Sequence, residues 1–406
     1  MTTFRAVFPM LTLTATNGNR FRVGQWLLLS DYGDLARRHM IASWTCVAGL
    51  ALVVLIWLPL SRLSIDQASW WELGTSLIYG AAAFTFYLLV SYRLREKEDR
   101  LAICLRAALE RLALLFRGGV LIAAIGIVGL VFTYLATASA LPLKDAFLAK
   151  LDSHLGFHWP SVLGAINGRP FLADLLVKAY GSTAPVTQGV VIWLAIRGRG
   201  ERLSELLALL CLCSLGLAVG MLLFPAAGAF VYFEPAHQLF DNYVPGREMW
   251  PFLDAFNGLR DGSLTKIDIS SVQGVVSFPS FHTMLGIITT YALRDTRILL
   301  IPAAILNGTM IVATLPVGGH YLVDTLVGAA IGVAAFHGLR YGSGRRASSQ
   351  ESIAAFWVNG IRLSGMPTLN HRFLPLLSRL RFDALECVFI TTAAGLVAYI
   401  ALGNLH

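Results

Sequence analysis

Nine stretches of this 406-residue chain are long, apolar and almost free of charge, and this feature constrains the fold more than any other. Eight of them, residues 41–61, 73–92, 118–143, 206–233, 269–293, 298–323, 325–339 and 387–406, contain no Asp, Glu, Lys or Arg. The ninth, 179–196, is shorter and holds Pro185, so its span borrows residues from 171 onward. About 20 apolar residues cross a bilayer as a helix, and backbone in hydrocarbon must satisfy its own hydrogen bonds. The sequence therefore reads as an all-α polytopic membrane protein with about nine transmembrane helices. At 56% hydrophobic and 14% charged residues an ordinary soluble domain is excluded. The 23 Phe, 12 Tyr and 9 Trp, with no low-complexity tract, exclude a disordered chain. Five scattered cysteines form no disulfide framework and are given no role.

Charge orients the spans. With the N-terminus inside, loops 1–40, 93–117, 197–205, 294–297 and 340–386 face the cytoplasm and carry 24 of the 32 Lys and Arg, whereas the acidic residues divide evenly. A bias in the basic residues alone is what membrane insertion produces. The net charge of +8 is thus a topology signal and not a nucleic-acid signal. The expectation is an integral protein of the cell inner membrane, N-terminus cytoplasmic and C-terminus outside. The first 40 residues show no cleavable signal-peptide pattern. Residues 93–117 read as a charged amphipathic helix on the inner surface. Three regions follow: 1–117, with two transmembrane helices and the amphipathic linker; 118–340, a membrane domain that carries the chemistry; and 341–406, a basic cytoplasmic segment and a last transmembrane helix.

Two segments break the apolar pattern, each at the outer end of a predicted span. In Ser277-Phe278-Pro279-Ser280-Phe281-His282-Thr283 the proline suits a first helical turn. His282 then lies beside free backbone N–H groups and the positive end of the helix dipole, where anions bind. In Gly318-Gly319-His320-Tyr321-Leu322-Val323-Asp324 four residues separate His320 from Asp324, so on a helix the carboxylate orients the imidazole. A lone histidine near a helix end is more often a hydrogen-bonded interfacial residue. Asp324, however, is an ionisable group in an otherwise uncharged stretch, which marks a candidate site. Both histidines also fall on one membrane face.

These residues carry a resemblance. Phe278-Pro279-Ser280-Phe281-His282, followed 38 residues after His282 by His320-Tyr321-Leu322-Val323-Asp324, resembles the paired motifs of the type 2 phosphatidic acid phosphatase superfamily. Within it the closer similarity is to the branch of fungal inositol phosphorylceramide synthases. The likeness is strong over 260–328 and weaker at 141–145, 156–160 and 224–228. It implies that 118–340 folds as a phosphatidic acid phosphatase-type helical bundle. It implies that His320 is the nucleophile forming a phosphohistidine, that Asp324 holds its tautomer, and that His282 is the general acid and then base. Ser280 and neighbouring amides are implied to bind the phosphoryl oxygens. No metal and no cofactor are implied, and the expected partner is a phospholipid or lipid phosphate in the membrane, with no nucleic acid.

The departures from the phosphatase pattern bear on charge. Arg169-Pro170 is present, but Val162 stands where that pattern has a lysine, and Ala313 and Thr314 stand where it has Ser-Arg. A dianionic phosphoryl group still needs cationic compensation. Arg260 is the best substitute, with Lys266 and Arg247 behind it. The expected activity is a lipid phosphatase or phospho-headgroup transferase, such as an inositolphosphotransferase, acting at the outer face. The alternative is a transporter or channel with a His/Asp relay, which requires ionisable groups continuing along the same helices.

Overall fold

The computed structural model describes residues 27–243, 252–271 and 273–342, together with two short paired strands at 12–14 and 20–22. The expected last span, 387–406, the basic segment before it, and Arg247 lie outside the described residues. Thirteen α-helices are described: α1 (Asp34–Trp57), α2 (Gln67–Leu94), α3 (Arg100–Ala138), α4 (Asp145–His154), α5 (Trp159–Asn167), α6 (Pro170–Gly181), α7 (Thr183–Ile196), α8 (Gly200–Leu223), α9 (Ala229–Phe233), α10 (Phe252–Asp261), α11 (Phe281–Ala292), α12 (Arg297–Ala313) and α13 (Leu322–Gly342). The described residues are all-α apart from the strand pair above and a second, parallel one between 64–65 and 266–267.

Among the described residues, five stretches are long and apolar enough to cross a membrane: Asp34–Leu60, Gln67–Leu94, Arg100–Ala138, Gly200–Leu223 and Leu322–Leu339. Two more, α7 and α12, are apolar but shorter. The count of nine spans is therefore not reproduced among the described residues. The amphipathic helix expected at 93–117 is not a separate element, because α3 runs unbroken for 39 residues. At about 1.5 Å per residue α3 extends roughly twice the hydrocarbon thickness.

Three expected spans are interrupted. The 206–233 stretch ends as helix at Leu223, before Pro225 and Gly228; the 269–293 stretch is helical only from Phe281; the 298–323 stretch stops at Ala313 and resumes at Leu322. Irregular backbone is tolerated at membrane depth only where protein covers it. Here the three breaks cover one another. Ala229 N–H donates to Gly319 O at 2.7 Å, and Ser280 N–H donates to Asp324 O at 3.1 Å.

The core forms around α8, which packs on α1, α3, α11 and α13. The turn after Ala292 folds α11 and α12 into an antiparallel hairpin, where Asn307 Nδ2 donates to Thr289 and Thr290 Oγ1. α13 runs alongside α11 in the same direction, with Gly332 against Ile287 and Gly328 against Ser280. Both helices thus begin at one place, which sets His282 beside His320.

Candidate active site

Ser280 is the N-cap of α11. Its hydroxyl, fully buried, accepts from Thr283 N–H at 3.4 Å and from Thr283 Oγ1 at 3.1 Å. The side chain expected to meet a phosphoryl oxygen is thus engaged in capping. The amides of Phe281 and His282, first in the helix, have no intrahelical acceptor and carry the positive end of its dipole.

His320 stands in a loop that two glycines shape. Gly319 has φ of +66°, and a Cβ at Gly318 would lie 2.6 Å from Thr314 O and 2.9 Å from His320 Cδ2. Val317 N–H bonds Ala313 O, and His320 N–H bonds Thr314 O at 3.1 Å, tying the loop to the end of α12. His320 Nδ1 donates to Asp324 Oδ2 at 3.2 Å. The same oxygen accepts from Tyr321 N–H at 3.0 Å and Ser277 Oγ at 3.2 Å. Asp324 is fully buried, and its Oδ1 has no hydrogen-bond partner. With Nδ1–H committed to the carboxylate, Nε2 is the ring nitrogen left with a lone pair.

The two imidazoles meet edge to face, with ring centroids 6.5 Å apart and planes at 64°. Tyr180 of α6 stacks on His282 with centroids 4.4 Å apart and fixes its ring plane. Tyr180 falls in an apolar helix, and its sequence context gives no signal of this contact.

Two further residues escaped the sequence reasoning. Asp145 and Asp152 sit two turns apart on one face of α4, both buried. Asp145 accepts from the amides of Ala227 and Gly228 at 3.0 and 2.9 Å and from Tyr321 Oη at 3.0 Å. Asp152 accepts from the amides of Leu322 and Val323 at 2.8 and 2.9 Å. Burial lifts the Asp152 carboxyl to about 6, the two amides and then Asp324 being the lesser influences. The available signal was the seven-residue spacing of two acids between apolar residues in an outer loop.

The cations are placed differently. Arg260, at the end of α10, donates to Leu141 O at 3.1 Å, lies over the Phe256 ring and lines a small cavity with Ser277 and Phe278. Lys266 lies on the strand pair, its side chain 73% exposed and 3.9 Å from Asp66, and no described contact joins it to the histidines. An apolar groove of about 660 Å³ opens beside the site, walled by Phe147, Leu151, Val219, Leu223, Phe278 and Val323 among others. Among the described residues no cluster of three or more His, Cys, Asp or Glu suited to a metal occurs.

Residues 146–338 match the family model of the PAP2 superfamily. The match contains both histidines, Asp324, Asp152 and Tyr180, and supports a function of the phosphatase or phosphotransferase type. No curated protein and no solved structure matches the chain.

Proposed function

We propose that this protein is a membrane enzyme that transfers the phosphoryl group, or phospho-headgroup, of a lipid through a phosphohistidine on His320. The observation that carries the reading is the grouping of Asp324, His320 and His282, with Nδ1 of His320 held by a buried carboxylate and the two imidazole centroids 6.5 Å apart. In the first step His320 Nε2 attacks phosphorus, the P–O bond to the leaving alcohol breaks, and His282 donates a proton to that oxygen. In the second, His282 takes a proton from water or an acceptor hydroxyl, the new oxygen attacks phosphorus, and the P–N bond breaks. Asp324 compensates the positive charge that develops on the His320 ring.

The first-turn amides of α11 and Arg260 bind the phosphoryl oxygens in this reading. Lys266 stays a second candidate cation, since an exposed pairing with Asp66 is weak. The apolar groove beside Phe278 and Val323 suits an alkyl chain, consistent with a lipid phosphate. Hydrolysis and headgroup transfer share the intermediate; the resemblance of the two motifs to inositol phosphorylceramide synthases supports transfer. The basic-residue bias supports an outer-face site.

Against a proton relay, α11 holds no side chain that titrates near neutrality between His282 and its end at Ala292, and α13 holds only His337, near its far end from Asp324. The test is incubation of the purified protein in detergent with lipid phosphates and phosphatidylinositol, with and without ceramide or diacylglycerol. Phosphate release or headgroup transfer that His320→Ala abolishes supports the reading; transport without turnover refutes it.

A further inference from the structure

A helix that carries no reacting group nevertheless holds the end of the reacting loop where it enters α13. α4 presents two buried carboxylates, each using both oxygens on two consecutive amides. Asp145 takes the 227–228 turn and, through Tyr321 Oη, the last residue of the His320 loop. Asp152 takes the amides of Leu322 and Val323, the first two of α13, whose next residue is Asp324. A carboxylate there caps two orphan donors and lies at the positive end of the helix dipole.

We propose that Asp152 is a positioning residue: its ionised carboxylate fixes the first turn of α13, and with it the Oδ2 of Asp324 against His320 Nδ1. The inference rests on the phosphohistidine reading above. The site tolerates little slack, because reacting groups must be held within about 0.5 Å. No other described contact supplies an acceptor to these two amides. The group that faces Asp152 from the packed helix is Asp324; on its own helix Lys150 and His154 are exposed, and Asp145 is taken up by its own amides. Burial with a nearby carboxylate raises Asp152 to about 6, so below that pH it protonates and loses acceptor capacity for one amide.

The test is steady-state and rapid-quench kinetics of Asp152→Asn in detergent micelles with short-chain phosphatidic acid. The expected result is kcat reduced 10–100-fold, the scale for outer partners of a site, with KM within about twofold. The fraction of enzyme that forms phosphoenzyme should be unchanged, and the acidic limb of kcat near pH 6 should disappear. A kcat within twofold of wild type, or a loss that leaves the acidic limb in place, overturns the proposal. If the variant does not fold, hydrogen exchange on the wild-type protein decides. The amides of Leu322 and Val323 should lose protection between pH 7 and pH 5 relative to the middle of α13, and equal protection refutes the role. A wild-type enzyme inactive on every phosphorylated lipid would fail the functional reading instead, and leaves the exchange result to judge Asp152 alone.

Discussion

Replacing Asp324 with Asn tests the charge of the buried carboxylate while sparing its shape. Three donors converge on Oδ2, from His320, Tyr321 and Ser277, while Oδ1 has no partner. An asparagine that places its carbonyl at the Oδ2 position keeps all three bonds and buries an NH₂ without an acceptor, at a cost of about 1–3 kcal/mol in stability. The catalytic loss is larger. A unit charge 3.2 Å from a developing imidazolium is worth about 5 kcal/mol at an effective dielectric of about 20. At about 1.36 kcal/mol per decade that is roughly 10⁴ in rate, the scale found when a triad aspartate is changed in the same way. The assay is single-turnover phosphoenzyme formation with a lipid phosphate at saturating concentration, beside a thermal melt in the same detergent. The loss should fall on kcat and leave KM nearly unchanged. A variant that folds and keeps kcat within tenfold of wild type would refute the assignment of charge compensation to Asp324.

Four other outcomes follow from the same geometry. His282→Ala should slow turnover by 10²–10⁴-fold, the range for general acid–base catalysis, yet still form phosphoenzyme from a lipid ester with a good leaving group; full loss of the covalent step would remove His282 from the proton-transfer role. Gly318→Ala places a methyl 2.6 Å from Thr314 O and 2.9 Å from the His320 ring, and should cost about 1–3 kcal/mol by overpacking, read as a lowered Tm together with at least a tenfold loss in kcat. Arg260→Lys gives up the guanidinium fork and should lower kcat/KM about 10–100-fold, whereas an Arg260→Ala enzyme within twofold of wild type shifts phosphate neutralisation to Lys266 or Arg247. Because burial holds Asp152 above the ordinary carboxyl range, at about 6, its contribution to folding is fully present below its unfolded value and is withdrawn as pH rises through about 6. The ionised form is the one that braces α13. Between pH 5 and pH 8 the wild-type kcat should therefore rise while Tm of wild type, measured against Asp152→Asn, falls; parallel movement of the two would contradict the assignment.

Much of the site was legible in one dimension because its parts are local. The four-residue spacing of His320 and Asp324 did bring the pair together, although His320 lies in the loop two residues before α13 and not on the helix; Ser280 caps α11, and Pro279 stands just outside the helix instead of in its first turn. What the charge-free runs did not reveal is that three of them are broken: hydropathy reads composition, and most of the residues at 224–233, 273–280 and 314–321 are irregular backbone buried within the protein. Pro225, Gly228, Pro279, Gly318 and Gly319 were the visible warnings. The braces of α4 were hidden for another reason. Asp145 and Asp152 act on backbone amides some 80 and 170 residues away, and an amide has no signature in sequence. Tyr180, brought to His282 by the packing of α6, is long-range in the same sense.

Covalent trapping reaches the central claim most directly. Enzyme mixed with a radiolabelled lipid phosphate, quenched within milliseconds and digested under alkaline conditions should yield an acid-labile phosphopeptide containing His320, lost on His320→Ala. Label mapped to any other residue, or wild-type-like turnover in a folded His320→Ala protein, would contradict the phosphohistidine account.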